Sequence, residues 1–298
     1  MHRFLHAAAA PFVVLAISTA ARSVPVDDGS LLHTDRGLAY REWLPRDFAG
    51  RQGDVPLILF SHGFGGCAQQ SATLTRALAQ AGYAVLAPNH RDEGCEHYRG
   101  NLAAALGASR LRPDQPFTRA AAWNPGTELN RRQDLEALLQ FLLSHPPYRD
   151  AVDRNRIAVM GHSLGGYAAL GLAGAWPSWR DPRIKAALAL SPYAAPFVLS
   201  GALKHIAVPV MYQTGTRDIG IGPVLLRAGG GYEMTAGPKY LLVLQGASHF
   251  AWTELNPNYQ TVIAAYAKGF FDRTLLGKPA PLLDAAPGPQ VALYRHQP

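Results

Sequence analysis

The stretch Arg156-Ile157-Ala158-Val159-Met160-Gly161-His162-Ser163-Leu164-Gly165-Gly166 decides how the rest of the chain is read. Ile157 to Met160 is a short apolar run of the kind that fills a parallel strand buried on both faces. It leads straight into Gly161-His162-Ser163-Leu164-Gly165, and residues 164–175, rich in Ala and Leu and free of Pro, have the composition of a helix. Strand, G-x-S-x-G, helix is the context in which a serine sits on a strained turn with its hydroxyl lifted clear of the sheet. The pentapeptide alone is weak evidence in a chain with 29 glycines, so the reading turns on partners for Ser163 elsewhere.

Outward from that stretch, apolar runs at 56–60, 83–87, 184–190, 208–214 and 240–244 read as further strands. Helical patterns at 71–81, 127–143 and 259–276 lie between or after them. The alternation predicts one α/β domain, an open and mostly parallel sheet with helices on both faces. Its functional groups belong at the carboxyl ends of the strands. Residues 37–44 read as an edge strand, 22–35 as an unstructured lead-in, and 277–298 as a Pro-rich tail outside the domain. Residues 93–125, where Gly, Pro and Arg interrupt short apolar runs, are too long for an ordinary connection and read as a functional insertion or small cap.

With 298 residues and 48% hydrophobic content the chain is long enough for one large, well-filled core. The net charge of +7 is carried by scattered arginines without a basic cluster, which argues against a nucleic-acid partner. At the N-terminus, His2 and Arg3 precede an apolar run at 7–17 and the small residues Ser18-Thr19-Ala20-Ala21, the pattern of a cleaved export signal over 1–21. The run is too short to span a bilayer, and no cysteine follows for a lipid anchor, so a soluble secreted or periplasmic protein is expected. In an oxidising compartment the two cysteines matter. Cys67 and Cys95 each follow a strand that ends at the same face, and a disulfide between them is expected, with two buried free thiols as the alternative.

A serine hydroxyl is a weak nucleophile at neutral pH and needs a base in hydrogen-bond reach and a third group to orient that base. His249, in Gly246-Ala247-Ser248-His249-Phe250 after the strand at 240–244, is the candidate base; His205 and His296 fall elsewhere. Asp218, closing Thr214-Gly215-Thr216-Arg217-Asp218 past the strand at 208–214, is the candidate acid, with Glu233 as a weaker rival. In Ser61-His62-Gly63-Phe64-Gly65-Gly66 the glycines let the backbone turn toward the elbow, so the N–H groups of Phe64 and Leu164 are the expected oxyanion hole. His62 and His162 are expected to pack beside the site. No metal-ligand constellation or phosphate-binding glycine loop is present, and the chemistry is expected to run without metal or cofactor.

With these residues in place the sequence resembles the α/β-hydrolase superfamily, in the dienelactone-hydrolase-like branch with the cutinase-like polyester hydrolases and the platelet-activating-factor acetylhydrolases. The likeness covers residues 55–273 and rests on Phe60-Ser61-His62-Gly63, Ala158-Val159-Met160-Gly161-His162-Ser163, Ile184-Lys185-Ala186-Ala187 and Gly246-Ala247-Ser248-His249-Phe250. Asn89-His90-Arg91-Asp92 matches the acetylhydrolases. Those enzymes place their acid after the earlier strand, where this chain has Ser191, so Asp218 follows the polyester-hydrolase layout. There the resemblance also implies an aromatic residue beside the acyl group; the matching pair is Pro192-Tyr193, and a tyrosine packed in the core is the alternative. The chain departs from the polyester hydrolases at Phe64, Leu164 and the insertion at 93–125.

The expectation is a secreted serine carboxylic-ester hydrolase, acting as a monomer through an acyl-enzyme on a short-chain or aromatic ester or on a polymeric one. A polyester or phospholipid-acetyl hydrolase, an amidase or peptidase with the same triad, and a non-catalytic binding protein on this scaffold remain as alternatives.

Overall fold

Val55 to Ser61, Ala84 to Pro88, Val210 to Gly215 and Lys239 to Leu244 are buried at every position, which a strand achieves only when both faces of its sheet are covered. The computed structural model describes residues 26–95 and 112–297, so the expected export signal at 1–21 and the middle of the insertion lie outside the described residues. Among these, the strands are β1 (Val26–His33), β2 (Ala39–Pro45), β3 (Val55–Ser61), β4 (Ala84–Pro88), β5 (Val152–His162), β6 (Ile184–Leu190), β7 (Val210–Gly215), β8 (Lys239–Leu244) and β9 (Val291–Gln297). They form one sheet in the order β1-β2-β4-β3-β5-β6-β7-β8-β9. From β4 to β8 every neighbouring pair is parallel. The pairs β1/β2, β2/β4 and β8/β9 are antiparallel.

Side chains alternate along each strand, and the core divides accordingly. On one face Leu57, Leu59, Ile157 and Val159 pack with Leu135, Leu138 and Leu142 of α2 (Leu129–Leu142) and with Leu164 and Tyr167 of α3 (Leu164–Leu170). On the other, Ile58, Phe60, Ala158 and Met160 pack with Leu74 and Leu78 of α1 (Ala72–Gln80) and with Ile263, Tyr266 and Phe270 of α4 (Gln260–Leu276). The expected α/β-hydrolase architecture is present.

Three expectations need correcting. The lead-in is ordered from Val26, where β1 forms the sheet edge outside β2, so 37–44 does not mark the edge. The tail at 277–298 is not loose over its described length: Val291–Gln297 adds to the opposite edge as β9, with Tyr294 against Tyr266 and His296 stacked over Tyr240. The helix expected over 164–175 is α-helical only to Leu170; Gly171–Ala175 is a π-turn in which Gly174 has φ 120°.

Candidate active site

Ser163 joins β5 to α3 with φ 53° and ψ −114°, a conformation that costs a residue with a Cβ of order 1–3 kcal/mol and persists only where the surroundings enforce it. The flanking glycines show what enforces it. A Cβ at Gly161 would stand 2.2 Å from the carbonyl oxygen of Gly165, and one at Gly165 would stand 1.9 Å from that of Ser61. Helix and strands meet there at backbone contact, so the motif is a packing requirement of the turn.

The partners converge on that turn. His249 Nε2 lies 2.9 Å from Ser163 Oγ, and His249 Nδ1 lies 3.2 Å from Asp218 Oδ1. The other Asp218 oxygen accepts hydrogen bonds from Ser191 Oγ at 2.5 Å and Thr214 Oγ1 at 3.0 Å. Burial alone would raise the Asp218 carboxyl, but the hydrogen bonds from His249, Ser191 and Thr214 outweigh it and hold the pKa below the usual carboxylate value. Because Ser191 donates to Asp218, its oxygen faces the imidazole as an acceptor. His249 therefore carries its proton on Nδ1 and turns a free lone pair on Nε2 toward the serine. The rival groups are elsewhere: Glu233 accepts from the backbone N–H of Gly229, His205 is exposed, and His296 lies on β9.

The loop after β3 is held from both sides. A Cβ at Gly63 would stand 3.5 Å from that of Ser163, which sets the loop against the elbow. The Phe64 N–H has no acceptor among the described residues, and that of Leu164, first in its helix, has no intrahelical partner. Arg131, wholly buried on α2, donates to the carbonyls of His62 at 2.6 Å and Gly63 at 3.4 Å and pairs with Asp92 at 2.7 Å. Asp92 in turn accepts from the Gly65 N–H at 3.1 Å. Burial would raise the Asp92 carboxyl, but the Arg131 guanidinium holds it down at about 2. From the other direction Gly63 N–H donates to Gln70, Gln70 donates to His162 Nδ1, and His162 Nε2–H donates to the carbonyl of His249. Burial, then the neighbouring His249, lowers His162 to about 3, so it stays a neutral spacer between the loops.

A second Ser–His–Asp set lies inside this network. Ser61 Oγ is 2.8 Å from His90 Nε2, and His90 Nδ1 is 2.8 Å from Asp134 Oδ2. Ser61 is fully buried, is not among the residues that line the cleft at Ser163, and has Arg131 at 3.2 Å. Access therefore separates the two sets, since Ser163, His249 and Asp218 all line a cleft of about 900 Å³. The sequence reading missed Arg131, Asp134, Gln70 and Ser191. One signal was available for Arg131, which falls in helical phase with Leu135, Leu138 and Leu142.

Phe64, Phe117 and Tyr193 form an aromatic wall of this cleft, with Tyr193 Oη donating to the Phe117 carbonyl at 2.7 Å and its ring against Trp123. The insertion thus supplies packed aromatic structure at its described end. Cys67 and Cys95 are joined by a disulfide at the cleft edge. The rim carries three large apolar side chains in solvent, Ile219, Phe250 and Leu255, exposed to 85%, 53% and 78%. No helix among the described residues is long and apolar enough to cross a membrane.

Residues 123–275, just over half of the chain, match the PET hydrolase-like family, and residues 46–99 match platelet-activating factor acetylhydrolase, isoform II. Cutinase est2 of Thermobifida alba is 33% identical over 147 residues, 48% of this chain and 46% of that protein. Cutinase cut1 of Thermobifida fusca is 33% identical over the same length, 43% of that protein. The platelet-activating factor acetylhydrolase of Canis lupus familiaris is 26% identical over 163 residues, 47% of this chain and 36% of that protein. The chain spans about half the length, or less, of these curated relatives.

Proposed function

The chain belongs to the PET hydrolase-like family of α/β-hydrolases, and from that premise we propose that it is an exported serine carboxylic-ester hydrolase working through an acyl-enzyme on short-chain or aromatic esters. One observation carries the reading: an accessible Ser163 in hydrogen-bond reach of His249, itself oriented by a buried Asp218, at the floor of an open, largely apolar cleft.

In the reaction Ser163 Oγ attacks the ester carbonyl while its proton passes to His249 Nε2. The imidazolium so formed is held by Asp218, which stays ionised throughout. The carbonyl oxygen becomes an oxyanion facing the N–H groups of Phe64 and Leu164, preset by the clamps on the loop after β3. The proton then leaves on the departing alcohol, and a water activated by the same histidine releases the acid. Tyr193 and Phe117 flank the acyl group, and the rigid wall they make favours short or flat acyl groups. A polyester or phospholipid-acetyl substrate is a second reading, favoured by the apolar rim of Ile219, Phe250 and Leu255, to which an extended ester can dock.

The test is hydrolysis of p-nitrophenyl acetate, butyrate and longer esters beside matched anilides and a polyester film. Esters are turned over and anilides are not. Ser163→Ala loses on the order of a million-fold in kcat with the fold intact, and a fluorophosphonate labels Ser163 but not Ser61. Residual activity of a few per cent in that variant, or label on Ser61, rejects the assignment.

A further inference from the structure

We propose that Ser191 is a positioning residue of the base, the nearer of two acceptors that hold the Nδ1 proton of His249 during the reaction. This rests on the ester-hydrolase reading above. Ser191 Oγ lies 2.7 Å from His249 Nδ1, closer than the 3.2 Å to Asp218 Oδ1. The same hydroxyl donates to Asp218 Oδ2 at 2.5 Å. The imidazole is thus tied to the carboxylate twice, once directly and once through a hydroxyl whose oxygen is made more electron-rich by donating to an ionised partner.

The backbone enforces this placement. Ser191 follows β6 immediately and is wholly buried, with its N–H donating to the Gln213 carbonyl on β7 at 2.7 Å. Its φ is 43°, in the left-handed region that a residue with a Cβ occupies at a cost. Glycine would relieve that strain, yet the position holds the smallest side chain that carries a hydroxyl.

When Ser163 attacks, its proton moves to Nε2 and the ring gains a positive charge. The Nδ1 proton stays on the ring, shared between Asp218 Oδ1 and Ser191 Oγ, and Ser191 keeps its own proton on the bond to Asp218 Oδ2. No proton crosses Ser191. Its contribution is to stabilise the imidazolium and to prevent the ring from rotating about its bond to the carboxylate.

The experiment compares wild type, Ser191→Gly, Ser191→Ala, Asp218→Asn and Ser191→Gly/Asp218→Asn on p-nitrophenyl butyrate, with the melting temperature of each. Ser191→Gly removes the hydroxyl and relieves the backbone, and its melting temperature separates any loss of fold, from the hydrogen bond to Asp218 that goes with it, from a loss of kcat. Both single Ser191 variants should lose about 10- to 100-fold in kcat, the effect of one hydrogen bond to an ionised partner, with KM little changed. In the Asp218→Asn background removing the hydroxyl should cost almost nothing further, because it acts through that carboxylate. Wild-type kcat in Ser191→Gly, or the same fold-loss with and without Asp218, overturns the role of Ser191 and leaves the ester-hydrolase reading standing. A wild-type protein inactive on every ester overturns that reading itself.

Discussion

Removing the Cys67–Cys95 bond should lower stability by a calculable amount while sparing the chemistry. The bond joins residues 28 apart and closes a loop containing α1 and β4. For a loop of that length the chain-entropy treatment gives about 12 cal/mol/K, or about 3.6 kcal/mol at 25 °C. With roughly 2.1 cal/mol/K of unfolding entropy per residue over 298 residues, the melting temperature should fall by about 6 °C. The neighbouring loop keeps independent ties, since Gly94 N–H donates to the Gly66 carbonyl at 2.8 Å and Asp92 accepts from Gly65. Thus kcat at 25 °C should stay within about fivefold, less than 1 kcal/mol of barrier. The assay is calorimetry and p-nitrophenyl butyrate turnover on a Cys67→Ala/Cys95→Ala variant, which leaves no stray thiol. A melting temperature within about 2 °C of wild type would refute the entropic argument. A collapse of kcat in a well-folded variant would mean that the bond, and not the hydrogen bonds, holds the loop after β3.

Asp92 has a folded pKa of about 2 against about 3.9 unfolded, so it contributes roughly 2–3 kcal/mol that is fully present above about pH 4 and lost as pH falls to about 2. Urea midpoints across that window should drop in wild type, while Asp92→Asn, starting about 3–5 kcal/mol lower with Arg131 left unpaired, should lack that part of the slope. Gly165→Ala should yield no folded enzyme, because its Cβ would stand 1.9 Å from the Ser61 oxygen, whereas Gly288→Ala, with nothing within 4 Å, should be indistinguishable from wild type by circular dichroism.

What was legible in the sequence was local and strongly patterned. The run at 184–190 is strand β6 to the residue, because six of its seven residues, all but the exposed Lys185, are buried and leave a nearly continuous apolar signature. Strands β1 and β9 were not legible, because an edge strand is half solvated and is ordered by pairing with a partner distant in sequence. Val291–Gln297 buries none of its residues fully and depends on β8, about fifty positions earlier. At the site, Ser163, Asp218 and His249 could be singled out because each follows a strand whose end could be counted, and the structure brings the three side chains together. Ser191 also follows a strand, but a serine there has no pattern that separates it from a turn residue; only its distances to His249 and Asp218 do. Arg131 announced itself by phase, a cation on the apolar side of α2, but its partners come from β3 and from the loop after β4, which no local pattern connects.

The two Ser–His–Asp sets show how little the residue types alone decide. At Ser61–His90–Asp134 both contacts are 2.8 Å, tighter than the 2.9 and 3.2 Å at Ser163–His249–Asp218. Yet burial, and then the charge of Arg131, pushes His90 well below its ordinary pKa. Both effects disfavour the imidazolium that a base must become, so His90 is better suited to serve as a neutral strut than to take up a proton. The Arg131 N–H fixes the Ser61 oxygen as an acceptor, the Ser61 proton then points to His90, and the set becomes a chain of satisfied hydrogen bonds between α2 and β3. His249 differs in that Ser191 as well as a carboxylate faces its Nδ1, and it lines an open cleft together with Ser163. Arg131 acts on that cleft indirectly, by anchoring the carbonyls on one side of Phe64 while Asp92 anchors the N–H on the other. The Ser61–His90–Asp134 set therefore braces the loop that carries the Phe64 N–H, and the Arg131 charge that adds to burial in lowering His90 also anchors the carbonyls beside that N–H.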